Sequence, residues 1–177
     1  RDLPSAQLTA ARVARYAREN KALNWIKGRG WNQVLWPDKQ FPTAKELDEL
    51  VSDRPVVLDR VDGHVIWVNS KAMEIAGITA STLSPQGGEI VKDANGQPTG
   101  VFIDNAETLI KRHIPAPTAT EMQVAYDKAT QHLLSLGITS MHDAGIERTV
   151  YDLYKQRVAN HKAHVRIYAM LSATEPQ

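Results

Sequence analysis

The apolar positions of this chain switch between helical and strand spacing, and the switches mark its elements. Ser5 to Asn20 is rich in Ala and Arg, which predicts a first helix with Pro4 where a first turn tolerates proline. Leu23-Asn24-Trp25-Ile26-Lys27-Gly28 is a short apolar run, predicted as a buried strand that leaves into a loop at Gly28-Arg29-Gly30. That loop carries Trp31 and Trp36 and reaches Pro42. Thr43 and Glu46 then have capping-box spacing ahead of Leu47, Leu50 and Val51, which predicts a short helix.

Two β-rich runs follow, Pro55 to Arg60 and His64 to Val68, joined by the tight connection Val61-Asp62-Gly63. Asn69 and Ser70 offer an N-cap for a helix through Ala76, closed by Gly77. Between Gly87 and Ile103 the dipeptide Asn95-Gly96 separates two β-prone runs, the pattern of a hairpin. This central third reads as a compact α+β lobe. From Thr118 the texture changes: Thr118 and Glu121 repeat the capping box, and Met122, Ala125, Ala129, Leu133 and Leu136 recur at helical spacing up to Gly137. Ile138 to Met141 is then predicted as a buried strand, Glu147 to Asn160 as a helix with Val150, Leu153, Tyr154 and Val158 on one side, and Val165 to Leu171 as another strand. Strand, helix, strand with short joints is a right-handed βαβ unit of a parallel sheet.

The expected fold class is therefore α/β, with parallel structure at residues 1–42 and 118–177 and an α+β lobe inserted at 43–117. The whole chain of 177 residues falls short of the ~250 of a complete (β/α)8 barrel, so a partial barrel is the expected architecture. The opening Arg-Asp-Leu-Pro, without Met or a signal peptide, adds to the expectation of a piece of something longer.

Composition removes several function classes. Lys+Arg 21 against Asp+Glu 20 leaves a net charge of +1, so there is no electrostatic case for nucleic acid or an anionic membrane surface as partner. The absence of cysteine rules out disulfides, thiolate zinc sites, iron–sulfur clusters and a cysteine nucleophile, while leaving the cytoplasm and the bacterial periplasm equally open. No apolar run approaches the ~20 residues of a membrane span.

An ordered series of short motifs carries a resemblance. It comprises Leu23-Asn24-Trp25-Ile26-Lys27-Gly28-Arg29-Gly30-Trp31-Asn32, Pro42-Thr43 with Leu47-Asp48, and Pro55-Val56-Val57-Leu58 through Asp62-Gly63-His64. It continues with Val68-Asn69-Ser70-Lys71-Ala72, Ala76-Gly77-Ile78, Gly87-Gly88-Glu89-Ile90, Asp93 with Gly96-Gln97-Pro98-Thr99-Gly100-Val101, and Gly137-Ile138-Thr139-Ser140. Each is weak alone; in this order they resemble the amidohydrolase 3 family, in the YtcJ-like branch that includes N-substituted formamide deformylases and exoenzyme regulatory proteins. The resemblance runs from about Leu23 to Leu171.

That resemblance implies a metal-dependent hydrolase of C–N bonds in amides, formamides or cyclic amides, acting on a small molecule and using a divalent metal, zinc by expectation, in a (β/α)8 barrel. The family's His-x-His pair is absent, because no two of His64, His113, His132, His142, His161 and His164 are separated by one residue. This chain is accordingly expected to be an internal segment that holds no metal of its own and is inactive alone, with its metal ligands unassigned. His64 matches the family's Asp-Gly-His motif, where an imidazole can hydrogen-bond a substrate carbonyl; a strand-start histidine satisfied by backbone is the plainer reading. Asp104 matches the acidic position of Pro-Thr-Gly-Val-x-x-Glu/Asp and is the second catalytic candidate; a helix cap is its plainer reading.

His142 and Asp143 follow a predicted parallel strand, the end at which barrel enzymes keep their sites, and are candidates for substrate binding or, more plainly, loop caps. Trp67 is a candidate for an apolar substrate wall, with packing of the lobe as its alternative. His161 and His164 have helical spacing but read as a solvated helix end. Two further functions stay open: a non-catalytic ligand-binding or regulatory module, and a structural interaction domain. Exposed barrel edges also predict self-association into a homo-oligomer.

Overall fold

A computed structural model describes residues 3–173. The chain divides into two compact units, residues 1–115 and 116–177.

Unit 1 is a five-stranded sheet of order β1-β2-β3-β5-β4, formed by β1 (Ile26–Trp31), β2 (Val56–Arg60), β3 (Val65–Val68), β4 (Gly88–Lys92) and β5 (Pro98–Asp104). Only β1 and β2 are parallel; the remaining pairs are antiparallel. Helix α1 (Ala6–Glu19), capped by Ser5, packs its small-residue stripe Ala6, Ala10, Ala14 and Ala17 into one core cluster with Leu47, Val56, Leu58 and Trp67. A second cluster contains Val57, Ile66, Val68, Phe102, Ala106 and Ile110, drawing on α3 (Ser70–Ile75) and α4 (Thr108–Lys111).

The expected strand end at Gly28-Arg29-Gly30 is corrected: β1 continues through these residues to Trp31. A Cβ at Gly28 would lie 2.9 Å from Leu58 Cδ2, so glycine here permits close strand contact, and Gly30 sits at a register shift between Arg29 and Trp31. β1 is hydrogen-bonded to β2, so residues on both sides of position 42 contribute to one sheet.

The short helix α2 (Ala44–Asp48) begins at its capping box, where the Glu46 carboxylate accepts from the Thr43 N–H at 3.1 Å and from its hydroxyl at 2.6 Å. Asn69, wholly buried, caps α3 and does more. Its Oδ1 accepts from Val56 N–H at 2.9 Å and Ala72 N–H at 3.1 Å, while its Nδ2 donates to Val51 O at 2.8 Å and Arg54 O at 2.9 Å. The Arg54 guanidinium, in turn, donates to the carbonyls of Ala17, Asn20 and Leu23 and closes the carboxyl end of α1.

Unit 2 consists of α5 (Ala119–Ser135), β6 (Ser140–Ile146), α6 (Arg148–Ala159) and β7 (Arg166–Leu171), with β6 and β7 parallel, as a βαβ unit requires. The second capping box forms, Thr118 and Glu121 exchanging hydrogen bonds. The apolar stripe of α5 is less buried than its spacing suggests: Tyr126 and Thr130 are the buried positions, Leu133 is half-buried, and Ala125, Ala129 and Leu136 are exposed. On α6 the buried residue is Arg157, whereas Val158 is exposed. Arg157 reaches Asp127 at 2.6 Å and lies over the Tyr126 ring, so an ion pair joins the helices where aliphatic packing was expected.

Candidate functional site

β3 runs antiparallel to both its neighbours, so its first residues lie level with the last residues of β2 and β5. Val65 pairs with Ile103, and just beyond them the Asp104 N–H donates to His64 O at 2.9 Å. This register brings together two side chains 40 residues apart: His64 Nδ1 lies 2.9 Å from Asp104 Oδ1. Both are accessible, His64 being 72% and Asp104 50% exposed at the side chain. With Asp104 as carboxylate, Nδ1 carries the proton and donates, which leaves Nε2 as the free nitrogen of the ring.

The pair is held from two sides. The His64 N–H donates to Asp62 Oδ1 at 3.2 Å; Arg60 is hydrogen-bonded to Asp62 through its guanidinium and donates from Nε to Gln33 Oε1 at 2.8 Å. Asp104 has φ 49° and ψ −123°, a left-handed backbone that aspartate adopts only at a cost. Around it the packing leaves little freedom. A Cβ on Gly88 would meet Ala106 N at 2.2 Å, and Asn105 is tied to Gly87 O and Gln86 O. Asp104 is thus followed by a short 3-10 turn, Asn105–Glu107, without acting as its side-chain cap.

Three residues that sequence reasoning missed, Asp59, Glu107 and Lys111, meet at the end of this turn. Lys111 Nζ donates to Asp59 Oδ1 at 2.8 Å and to Glu107 Oε2 at 2.6 Å. Burial alone pulls the Lys111 pKa down, but the hydrogen bonds and charges of Asp59 and Glu107 outweigh it and set the net value above that of an ordinary lysine. Glu107 is buried and its Oε1 has no hydrogen-bond partner among the described residues. The spacing of Glu107 and Lys111, four apart on a helical stretch, was the visible signal; the long-range partner Asp59 left none.

In unit 2, His142 and Asp143 lie within β6, which extends to Ile146, and not past its end as expected. Pairing with β7 holds the backbone extended through both residues: His142 is level with Tyr168 and Asp143 with Ala169. Adjacent strand residues face opposite sides of the sheet, so the two side chains have different neighbours. The His142 ring lies 5.2 Å from that of Tyr168, and the Asp143 carboxylate accepts from the Tyr154 hydroxyl at 2.6 Å. Burial first, then that carboxylate, push the Tyr154 pKa well above its ordinary value. Trp67 is 0% exposed; its Nε1 donates to Thr43 O at 2.7 Å and its ring packs edge-on against Trp31 and Trp36. That surrounding is a core, and offers a substrate no surface of the ring.

Among the described residues no three His, Asp or Glu side chains gather where a metal ion could bind. His64 and Asp104 supply two donors already bonded to each other, and Lys111 occupies the carboxylates of Asp59 and Glu107. These residues do not fit a complete metal centre. No helix among the described residues is long and apolar enough to cross a membrane.

This mixture of helices and sheets has the same fold as part of two solved proteins that are described as metal-dependent hydrolases. A crystal structure of an uncharacterized metal-dependent hydrolase from Pyrococcus horikoshii matches 97% of the chain at a TM-score of 0.65 and 22% identity, the chain covering 32% of it. The chain belongs to the amidohydrolase family, whose model Amidohydro_3 matches residues 2–175. It is 40% identical over 119 residues to YtcJ, a Bacillus subtilis protein named as an amidohydrolase, covering 67% of this chain and 22% of the relative. It is also 29% identical over 151 residues to the N-substituted formamide deformylase of Arthrobacter pascens, covering 81% of this chain and 27% of the relative. The chain therefore spans about a quarter of the length of these curated relatives.

Proposed function

We propose that this chain is a segment of a metal-dependent amidohydrolase that cleaves C–N bonds of a small amide, formamide or cyclic amide. In this reading the parallel pairs β1–β2 and β6–β7 are parts of a (β/α)8 barrel, and the metal, zinc by preference, is held by residues outside those described. The segment alone is inactive. Self-association through strand edges left without partners belongs to the same reading.

The observation that carries the proposal is the His64–Asp104 pair, an oriented imidazole exposed at the carboxyl end of β5. Asp104 accepts from Nδ1–H, and in this reading Nε2 is the nitrogen offered to the substrate. Neutral, it accepts from an amide N–H; protonated, it donates to the carbonyl oxygen or to the departing nitrogen, which needs a proton for the C–N bond to break. His142, exposed on β6, remains a substrate contact, and Asp143 acts with Tyr154. Trp67 has a packing role.

The test is turnover of formamide and cyclic-amide substrates by the full-length protein carrying His64→Ala or Asp104→Asn. Each variant is expected to lose on the order of 10²-fold in rate, the usual effect of removing a donor to developing charge. Wild-type turnover with metal content and melting temperature retained would remove both residues from the chemistry. Turnover by the isolated chain would overturn the segment reading itself.

A further inference from the structure

We propose that Lys111 is the positioning residue of the His64–Asp104 pair, a role that rests on reading that pair as the working one. The strained backbone of Asp104 passes directly into the turn Asn105–Glu107, so whatever fixes the turn fixes the carboxylate. Glu107 ends that turn, and Lys111 ties it by a 2.6 Å contact, while its other contact, 2.8 Å to Asp59, anchors the turn to β2. Asp59 pairs in register with Ile66, two residues along β3 from His64. The ammonium thus joins the element that presents Asp104 to the strand beside the one that presents His64.

Glu107 is nine-tenths buried at its side chain, and one of its oxygens has no hydrogen-bond partner among the described residues. A buried carboxylate held in this way is costly to keep, and a cation whose arms reach two elements gives it a reason to persist that packing alone does not. The hydrogen bonds of Lys111 go to Asp59 and Glu107 and to neither member of the pair. It acts through the turn.

The test uses the purified chain and two-bond proton–nitrogen correlation spectra of the His64 ring. In the wild type Nδ1–H is the expected tautomer, because Asp104 accepts from it; finding Nε2–H instead would refute the working pair, and with it this inference. Lys111→Met with Glu107→Gln removes the cation and the buried charge together, so no charge is stranded in the core. That double variant is expected to melt cooperatively and to shift His64 toward the Nε2–H form that an unconstrained histidine favours. Should it fail to fold, Asp59→Asn weakens the partly exposed arm by removing its charge and strands nothing; the same shift, smaller, is expected. Lys111→Arg, which keeps the charge, is expected to restore part of the Nδ1–H population. In the full-length protein the double variant is expected to lose about tenfold in kcat, with KM nearly unchanged, as loss of a supporting contact does. An intact Nδ1–H tautomer in a folded double or Asp59→Asn variant would overturn the role of Lys111 while leaving the pair standing.

Discussion

Replacing Asp104 separately by Gly and by Ala isolates the backbone strain at the candidate site. Both variants lose the carboxylate and its contact with His64, so that contribution cancels between them. What differs is the cost of φ 49°, ψ −123° for a residue with a Cβ, on the order of 1–3 kcal/mol. Against it stands the extra chain entropy glycine loses on folding, roughly 0.5–1 kcal/mol relative to alanine. Setting the smaller strain against the larger entropy, and the reverse, gives a range of about 0–2.5 kcal/mol in favour of glycine, with about 1 kcal/mol the central expectation. At an ordinary strand position the sign is opposite. The four tryptophans, Trp25, Trp31, Trp36 and Trp67, all fall in unit 1, so tryptophan fluorescence in urea reports the unfolding of that unit without contribution from the other. With a urea dependence of ~1–3 kcal/mol per molar, the glycine midpoint should lie about 0.3–1 M above the alanine midpoint. A more stable alanine variant would refute the claim that Asp104 is held under strain.

Gly88→Ala places a Cβ 2.2 Å from Ala106 N, a backbone atom that cannot rotate away, so urea unfolding of unit 1 should show a loss of about 1–3 kcal/mol and ring spectra should show a weakened His64–Asp104 contact. Tyr154 has a folded-state pKa above its unfolded value, so its contribution to unit 2 is present below about pH 10 and is lost as pH rises further; circular dichroism of the chain should show that alkaline loss, and Tyr154→Phe should lessen it, leaving the share of Tyr126, which burial raises as well. After dialysis, plasma emission spectroscopy is expected to find well under one zinc per chain, since hydrolytic zinc sites take about three protein ligands; a full equivalent would contradict this.

Local chemistry was the part of this fold that the sequence made legible. Both capping boxes form where Thr43–Glu46 and Thr118–Glu121 place them, Asn69 caps α3, and the Asn95-Gly96 turn joins β4 to β5. These signals are written within four residues of each other and need no tertiary partner. The elements misjudged were those settled by a distant one. Gly28 to Gly30 reads as a strand end, yet pairing with β2 carries the strand through it. The stripe on α6 points to Val158, yet Asp127 and Tyr126 on α5 draw Arg157 inward. At the site, His64 and Asp104 were visible as motif residues, but their contact depends on the β3–β5 register, and Asp59 entered through a contact with Lys111 across 52 positions, for which no local spacing exists.

Asn69 shows how much meaning one position can carry. Its amide uses two donors and two acceptor lone pairs on four separate backbone groups, in a fully buried site. Aspartate has the same outline but would point oxygen at the carbonyls of Val51 and Arg54; leucine has the volume but would leave four backbone groups without partners. Glutamine is too long by one carbon and serine too short to span the gap. Of these side chains asparagine alone satisfies all four groups, and the backbone at Val51, Arg54, Val56 and Ala72 is gathered around that one amide.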